Sequence, residues 1–589
     1  MCQQSASFPS RASLALLLLF VFATAVFATP LRGERLSIQP LRCAVACRKI
    51  PLPGPRASRP PVRKGTQSAD SADFSSTFAP DPRAPQSSKP RPDVDSLERE
   101  VVQLVQAGKL TEAEALARSA VTAQPHHAGR RALLGAVLDQ MGRAAEAEHE
   151  YREALRLDPR SPIALTNLGV LLARTNRSDD AIEAFQKALT FAPDHPQAIY
   201  NLGALYLARK DYARAIPLLE KAGGAAPERS GDLALLLRLA DSYAHTGRAA
   251  DAARISSTIE QRAADDPSVL FTLGLSLADA GDYKNAARLF ERINTLRPDT
   301  YEVLYNLGVA LFNLDRLDAA RTALQRAASL RPQEPETFYR LGLIASLRGE
   351  SENAIGLWQQ ATALREVYPE ANFMIAEELF KRQRFDRAIP FYERAIEQDP
   401  AKPLYYIRLG GAHFRSRHYN LARAAFERGN VRFPDNATLQ YLAGYAARAE
   451  GLYDDALAFF QRARTLQPDN VDVLANIGFI YLERGQYDGA ETVLKRAVEL
   501  DPRSFPAVYE LGRLLVKLRR YEEALPVLSR AAALSDNDPG IHYQLFTAYS
   551  RLKRKADAER ELALFKRLEG LRKNSGGMEG SAANEQKAP

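Results

Sequence analysis

The residues of this sequence that could do chemistry recur at fixed intervals. Aromatic side chains stand at Tyr200, Phe271, Tyr305, Tyr339, Phe373 and Tyr441, and again at Tyr509 and Tyr543, spaced by 34 residues, by 68, or by 71 where three extra residues intervene. One position later come Asn167, Asn201, Asn306 and Asn476, with Arg340 and Arg408 in the same register. Tyrosine offers a large rigid face with a polar tip, an amide donates and accepts, and a guanidinium forks onto carboxylates. This set suits recognition of a peptide or protein surface rather than bond making.

Catalysis needs a clustered nucleophile, acid–base pair or metal set, and the sequence shows none. Its eight histidines are scattered, and His413 and His418 are five apart, a poor spacing for one helical face. No H-E-x-x-H, P-loop or G-x-S-x-G pattern occurs. Cys2, Cys43 and Cys47 all precede the recurring region. The last two read as plain thiols of a tail or as a disulfide, because a pair falls short of the four ligands of a zinc site. No catalytic residue, cofactor or metal is expected.

The elements that must position the recurring residues are helical hairpins. In 471–504, Leu474, Ile477, Gly478 and Tyr481 fall at the i, i+3, i+4, i+7 spacing of one helical face. After Gly485 a second helical pattern carries Tyr487, Ala490, Leu494 and Ala497, and Pro502 stops it. Neither helix is long enough to be stable alone. The same pattern recurs every 34 residues from Val94 to Arg572, with three extra residues at Ser230 to Asp232, giving fourteen units. A fixed period of this kind marks a solenoid. Glycine fills the eighth position of ten units, including Gly169, Gly342 and Gly478, although it costs about 1 kcal/mol inside a helix. Alanine fills the twentieth position of all fourteen, so close helix crossing at those two small residues is the expected compensation.

The formal net charge of +8 suggests nucleic acid until it is located. Residues 1–93 hold 13 Lys/Arg against 5 Asp/Glu, an excess equal to the whole, so the repeats are neutral and lack the clustered charge that phosphates require. No nucleic-acid partner is expected. Residues 1–28 read as a secretory signal, with an apolar run from Leu14 to Ala28 and small residues at Ala23, Ala25 and Ala28. An uncleaved membrane anchor over 14–28 and an organelle transit peptide are the other readings. Residues 29–93, rich in Pro, Ser and Arg, read as a disordered tether, and 573–589 as a disordered tail.

The repeated marks resemble the tetratricopeptide repeat family. In one unit they stand as Leu165, Leu168, Gly169, Leu172, Ala181, Phe185, Ala188 and Pro193. The resemblance covers 94–572 and implies an all-α, right-handed superhelical α-solenoid of about fourteen 34-residue hairpins, with first helices lining a concave groove. On a helical wheel positions two, five, nine and twelve are expected opposite the face of four, seven, eight and eleven. The fifth-position aromatics are then either groove contacts or packing between adjacent first helices. The sixth-position asparagines look similar to the ladder of the O-linked N-acetylglucosamine transferase superhelix, interrupted here by Arg238, Thr272, Arg340, Met374, Arg408 and Leu442. Arg340, Lys381, Arg408, Arg415 and Arg448 make either a basic, aromatic-lined stretch for an acidic segment or a solvated mixed-charge face.

Together these features predict an exported, periplasmic, cell-envelope or secreted scaffold that binds protein or peptide partners on its concave surface. Two further readings are a subunit presenting substrates to a separate enzyme such as a glycosyltransferase, and a polysaccharide-export accessory module.

Overall fold

The computed structural model describes residues 94–585 except 225, 226, 228, 229, 265 and 536; for 94–96 and 572–585 it describes the backbone alone. The leader over 1–28 and the tether over 29–93 lie outside the described residues. Among those described there are twenty-eight α-helices and no strand. None of the helices is long and apolar enough to cross a membrane.

The helices pair into fourteen hairpins, each joining a first helix such as Val471–Glu483 to a second such as Tyr487–Leu500. They fall into two compact units, seven hairpins in residues 94–333 and seven in 334–585. Many first helices start on a side-chain cap: Ser161 Oγ accepts from Ala164 N at 3.3 Å, and Asn470 Oδ1 from Val473 N at 3.1 Å. Proline often follows the cap, where its missing N–H has no helical partner to lose. The turn inside each hairpin carries one left-handed residue at position fifteen. Glycine fills it in seven hairpins, and Asn176, Lys210, Asp315, Gln383, Arg417, Arg519 and Lys553 fill it in the others.

The eighth-position glycine is explained by a partner on the second helix. A Cβ on Gly342 would lie 2.4 Å from Trp358 Nε1, one on Gly410 2.3 Å from Phe426 Cε1, and one on Gly478 2.4 Å from Leu494 Cγ. Each partner sits at position twenty-four and is almost wholly buried. The expected close crossing at the twentieth alanine is present too, since a Cβ on Gly444 would also lie 3.1 Å from Ala456 O. The bulk in the slot, however, comes from position twenty-four.

Four hairpins lack the eighth-position glycine: Val101, Ala240, Ala376 and Phe546 stand there, with Ala117, Ser256, Tyr392 and Leu562 at position twenty-four. In the first, Val101 faces Ala117 and the large and small partners exchange places, both remaining buried. In the hairpin of helices Leu233–His245 and Ala249–Ala263, Ala240 meets Ser256, so both are small. Beside Ser256 a cavity of about 980 Å³ opens between Ala249–Ala263 and the next hairpin, lined also by Ala253, Ser257, Arg288 and Arg292.

The end of the array differs from expectation. The last helix spans Lys555–Glu585 and continues through most of the segment read as a disordered tail. Extending an anchored helix needs only propagation, not a new nucleus, which lets it run through glycines that would prevent an isolated helix.

Candidate protein-interaction surface

A helix turns 100° per residue, and this decides which first-helix side chains stay open. Taking the interior face as centred among positions four, seven, eight and eleven, positions two, nine and thirteen lie about 150–170° away, but five and twelve only about 90–110°. The fifth position is therefore a flank of the helix rather than its far side. This corrects the expectation that five belongs with two and nine.

In residues 94–333 the expected site residues behave accordingly. Arg238 lies 4.9 Å from the centre of the half-buried Tyr200 ring and its Nη1 donates to the Tyr200 hydroxyl. Half-buried Phe271 leans on Phe290 at 5.7 Å, and buried Tyr305 stacks on Tyr301 at 5.8 Å. Asn306 Nδ2 donates to Glu302 O of its own helix at 2.7 Å. Asn201 is 3% exposed, its Nδ2 without a hydrogen-bond partner, and Asn167 is half-buried.

Residues 334–585 repeat this arrangement. Buried Tyr339 packs on Tyr368 at 5.3 Å, and half-buried Phe373 stacks on Tyr405 at 4.8 Å. Arg340 is half-buried, as is Tyr441, whose ring centre is 5.8 Å from that of Phe460. Arg408 is buried with Nε 3.1 Å from Glu377 Oε1, an oxygen that also accepts from the Tyr392 hydroxyl at 2.6 Å. Burial raises the Glu377 pKa while Arg408 opposes the shift. Buried Asn476 donates from Nδ2 to Asp472 O at 2.8 Å. The fifth and sixth positions thus turn inward, onto their own helix, onto the second helix of their hairpin, or onto the neighbouring first helix.

Position thirteen is exposed in most hairpins, and the half-buried ninth and twelfth positions line the surface beside it. In 334–585 they form a ribbon of alternating rings and guanidinia. Phe414 lies 5.4 Å from Tyr445, and Arg448 sits between Tyr445 at 4.9 Å and Phe479 at 4.8 Å. Arg513 follows, 5.7 Å from Phe479, donating to Glu510 at 2.8 Å and Glu483 at 2.6 Å. Burial pushes the Glu510 carboxyl up to about 7 against the pull of Arg513 and Arg448. Of the basic stretch read from the sequence, Arg448 belongs to this ribbon, Arg415 lies over Phe385 at 4.9 Å, and Lys381 is 3.9 Å from Glu378. Tyr445, Phe479 and Arg513 were not among the expected site residues. Their signal was an aromatic or cationic ninth position in three successive hairpins.

The same face in 94–333 is aliphatic at most ninth positions, as at Val170, Ala204, Leu275 and Val309, and carries a polar cluster around Asp241. His245 stacks on Tyr212 at 4.5 Å, its Nδ1 is 2.9 Å from Asp241 O, and its Nε2 is 3.1 Å from Asp279. Asp241, with Asp279 adding to it, holds the imidazole pKa up at about 9, so the ring is charged near neutral pH. Ser276 Oγ donates to Asp241 at 2.6 Å. No group of three metal-ligating side chains occurs among the described residues.

Three family models described as tetratricopeptide repeat match this chain. One matches at 132–196, 271–335, 339–403 and 407–471, a second at 172–228, 206–271 and 447–515, and a third at 507–540. Comparison with curated proteins finds no match. Among solved structures, the C-terminal part of a TPR repeat-containing protein from Cytophaga hutchinsonii is 18% identical over 41% of this chain and 99% of its own, with a TM-score of 0.38. Yeast Tom70 is 16% identical over 78% of this chain and 99% of its own, at 0.28. YrrB, described as a TPR protein with an unusual peptide-binding site, is 19% identical over 32% and 97%, at 0.29.

Proposed function

Because the chain belongs to the tetratricopeptide repeat family, whose arrays are protein-interaction scaffolds, we propose that it is a non-enzymatic scaffold holding partner segments against the first-helix face of its hairpins. The observation that carries this reading is the ribbon from Phe414 through Tyr445, Arg448 and Phe479 to Arg513. Guanidinia held flat against rings are pre-organised, so little side-chain entropy is lost when a ligand adds to them. Such a surface takes a partner segment with a carboxylate, acidic or C-terminal, next to an apolar side chain. The half-buried Tyr200, Phe271, Arg340, Phe373, Tyr441, Asn167 and Asn306 offer edges to the same face, while Asn201, Tyr305, Tyr339, Arg408 and Asn476 hold its helices together. With a leader at 1–28 the scaffold serves an envelope or secretion complex.

The test is crosslinking from native membranes and soluble envelope extract, with crosslinks mapped by mass spectrometry. Wild type is compared with a combined Tyr445→Ala, Arg448→Ala, Phe479→Ala variant. The proposal expects a defined partner crosslinked within 414–513 and lost from the variant at unchanged helicity. Equal capture of that partner by both proteins would overturn the ribbon as its site.

A further inference from the structure

Glu510 is a carboxylate in a register that otherwise has none. It stands at the sixth position of the first helix Phe505–Lys517, and every other hairpin fills that position with a neutral or cationic residue. Its side chain is 12% exposed and lies beside the ribbon of rings and guanidinia. Among the described residues its one hydrogen-bond donor is Arg513, which it shares with the more open Glu483. Glu377, another half-buried carboxylate of a first helix, has both Arg408 and the Tyr392 hydroxyl.

Four charges meet here, and they cancel. Arg513 and, from the first helix Ala437–Glu450, Arg448 are the cations, and Glu510 and Glu483 are the anions. Arg448 lies against the Tyr445 and Phe479 rings and, among the described residues, pairs with no carboxylate. It is the open place for an incoming anion. The packed neighbours leave this balance intact. Burial pushes the Tyr509 hydroxyl up to about 12, so it stays neutral, and Asp538 and Asp472 act on the Tyr509 and Tyr441 hydroxyls. The following first helix, Pro539–Arg551, places Gln544 and Thr547 in the registers of Glu510 and Arg513, with Arg551 one turn on at its exposed end. On the second helices Tyr487–Leu500 and Tyr521–Leu534, Glu491 pairs with Lys495 and Arg520, and Glu523 with Arg520.

We infer that binding of a carboxylate-bearing partner segment at this ribbon is coupled to uptake of one proton by Glu510. The inference rests on the reading of the ribbon as the partner site. A ligand carboxylate set on Arg448 adds a third anion to two cations in a half-buried place, where like charges repel more strongly than in water. One proton passing from water to Glu510 restores the balance, leaving Glu483 and the ligand opposite Arg448 and Arg513. Burial already holds the Glu510 carboxyl up at about 7 in the free chain, so the proton is within reach near neutral pH. A site that gains a proton on binding holds its ligand more tightly as pH falls. Affinity is therefore highest and level below 7 and declines above it, by about tenfold for each unit that the ligand raises the Glu510 midpoint.

The test uses the full chain with isotope-labelled glutamate carboxyls and Phe and Tyr rings. Two capped peptides, acetyl-Gly-Phe-Glu-Phe-Gly-amide and its Gln counterpart, are titrated between about pH 6 and 9, where the peptide glutamate stays ionised. With the Glu peptide the Tyr445 and Phe479 ring resonances are expected to shift, the Glu510 midpoint to rise by about one unit, and the affinity to fall about tenfold across the range. The Gln peptide is expected to bind weakly and evenly. Glu510→Gln fixes the neutral form and is expected to hold the Glu peptide at its low-pH affinity throughout. Glu483→Gln removes a like charge that helps hold the Glu510 carboxyl up, and is expected to move the decline to lower pH. Glu-peptide affinity that is the same at both ends of the range, or a decline that persists in Glu510→Gln, would overturn the coupling and leave the ribbon standing as a partner site. No ring shift with either peptide at millimolar concentration would overturn the ribbon as a carboxylate site and the coupling with it.

Discussion

Two hairpins in the same register fill the same slot in opposite ways. In the hairpin of helices Pro335–Leu347 and Ser351–Leu364, Gly342 admits the whole Trp358 ring, which is 0% exposed and donates to Tyr339 O at 3.1 Å. In the hairpin of Leu233–His245 and Ala249–Ala263, Ala240 faces Ser256, the slot stays thin, and a cavity of about 980 Å³ lies beside it. The second hairpin is tied to the next by charge instead. Arg288 takes both Glu260 oxygens at 2.7 Å, and His245 reaches Asp279. Glycine at position eight is thus half of a pair, and its effect depends on what position twenty-four supplies. A ring in a slot is indifferent to pH, whereas a histidine bridge is not.

Removing the ring should break the contrast most strongly. Trp358→Ala is expected to cost about 3–5 kcal/mol, because it leaves a void and a main-chain acceptor without its donor. Hydrogen exchange should show lost protection concentrated in 335–364; unchanged protection there would mean the slot does not hold the hairpin. Closing the slot from the other side is milder. Gly342→Ala sets a Cβ against Trp358 and should destabilise by about 1–3 kcal/mol, whereas Gly356→Ala, in the facing helix with open space around it, should stabilise by up to about 1 kcal/mol. Equal melting shifts for the two would refute a steric role for the eighth glycine.

The charged junction should reveal itself through pH. The His245 pKa of about 9 exceeds the ordinary histidine value of about 6.5, so its stabilisation is complete below that value and disappears as pH rises through 9. About 1–2 kcal/mol should be lost locally between pH 6.5 and 10, allowing for screening by solvent. Exchange corrected for intrinsic rates should show this in 233–279 but not in 335–364, and His245→Gln should flatten it. The smallest effect is a repair. Ala240→Gly with Ser256→Leu rebuilds the common pair and should gain about 1 kcal/mol, the side-chain burial less the cost of the helical glycine. A loss of stability would show that the thin slot has adapted beyond those two residues.

The hairpins were legible because period and punctuation are local: Pro162 and Gly169 say where a helix starts and where it is approached closely. The object approaching Gly169 was not legible, since Phe185 lies sixteen residues on and its meaning emerges only when two helices cross. The open face was partly legible. Tyr305 and Tyr339 were the conspicuous periodic aromatics, yet a position 110° round the helix is covered by its neighbours, and the less regular Tyr445 and Phe479 are only half-buried, with Arg448 against both rings. Arg408 and Glu377 gave no sequence sign of their pairing, because 31 residues separate them and the contact exists only between stacked first helices. The helix through 573–585 was hidden by its glycines, which lower propensity without forbidding the propagation of an anchored helix.

The left-handed residue at position fifteen carries an evolutionary consequence. It recurs in all fourteen hairpins, as Gly485 in one and Arg519 in the next, and no β-branched residue occupies it. Because the bend between paired helices is the same everywhere, a duplicated stretch of 34 codons inserts a finished hairpin that needs no new turn, and a deletion of the same length removes one cleanly. Three extra codons have no such place. The chain carries them at Ser230 to Asp232, between hairpins, where the left-handed bends of both neighbours, at Lys210 and Gly247, are kept.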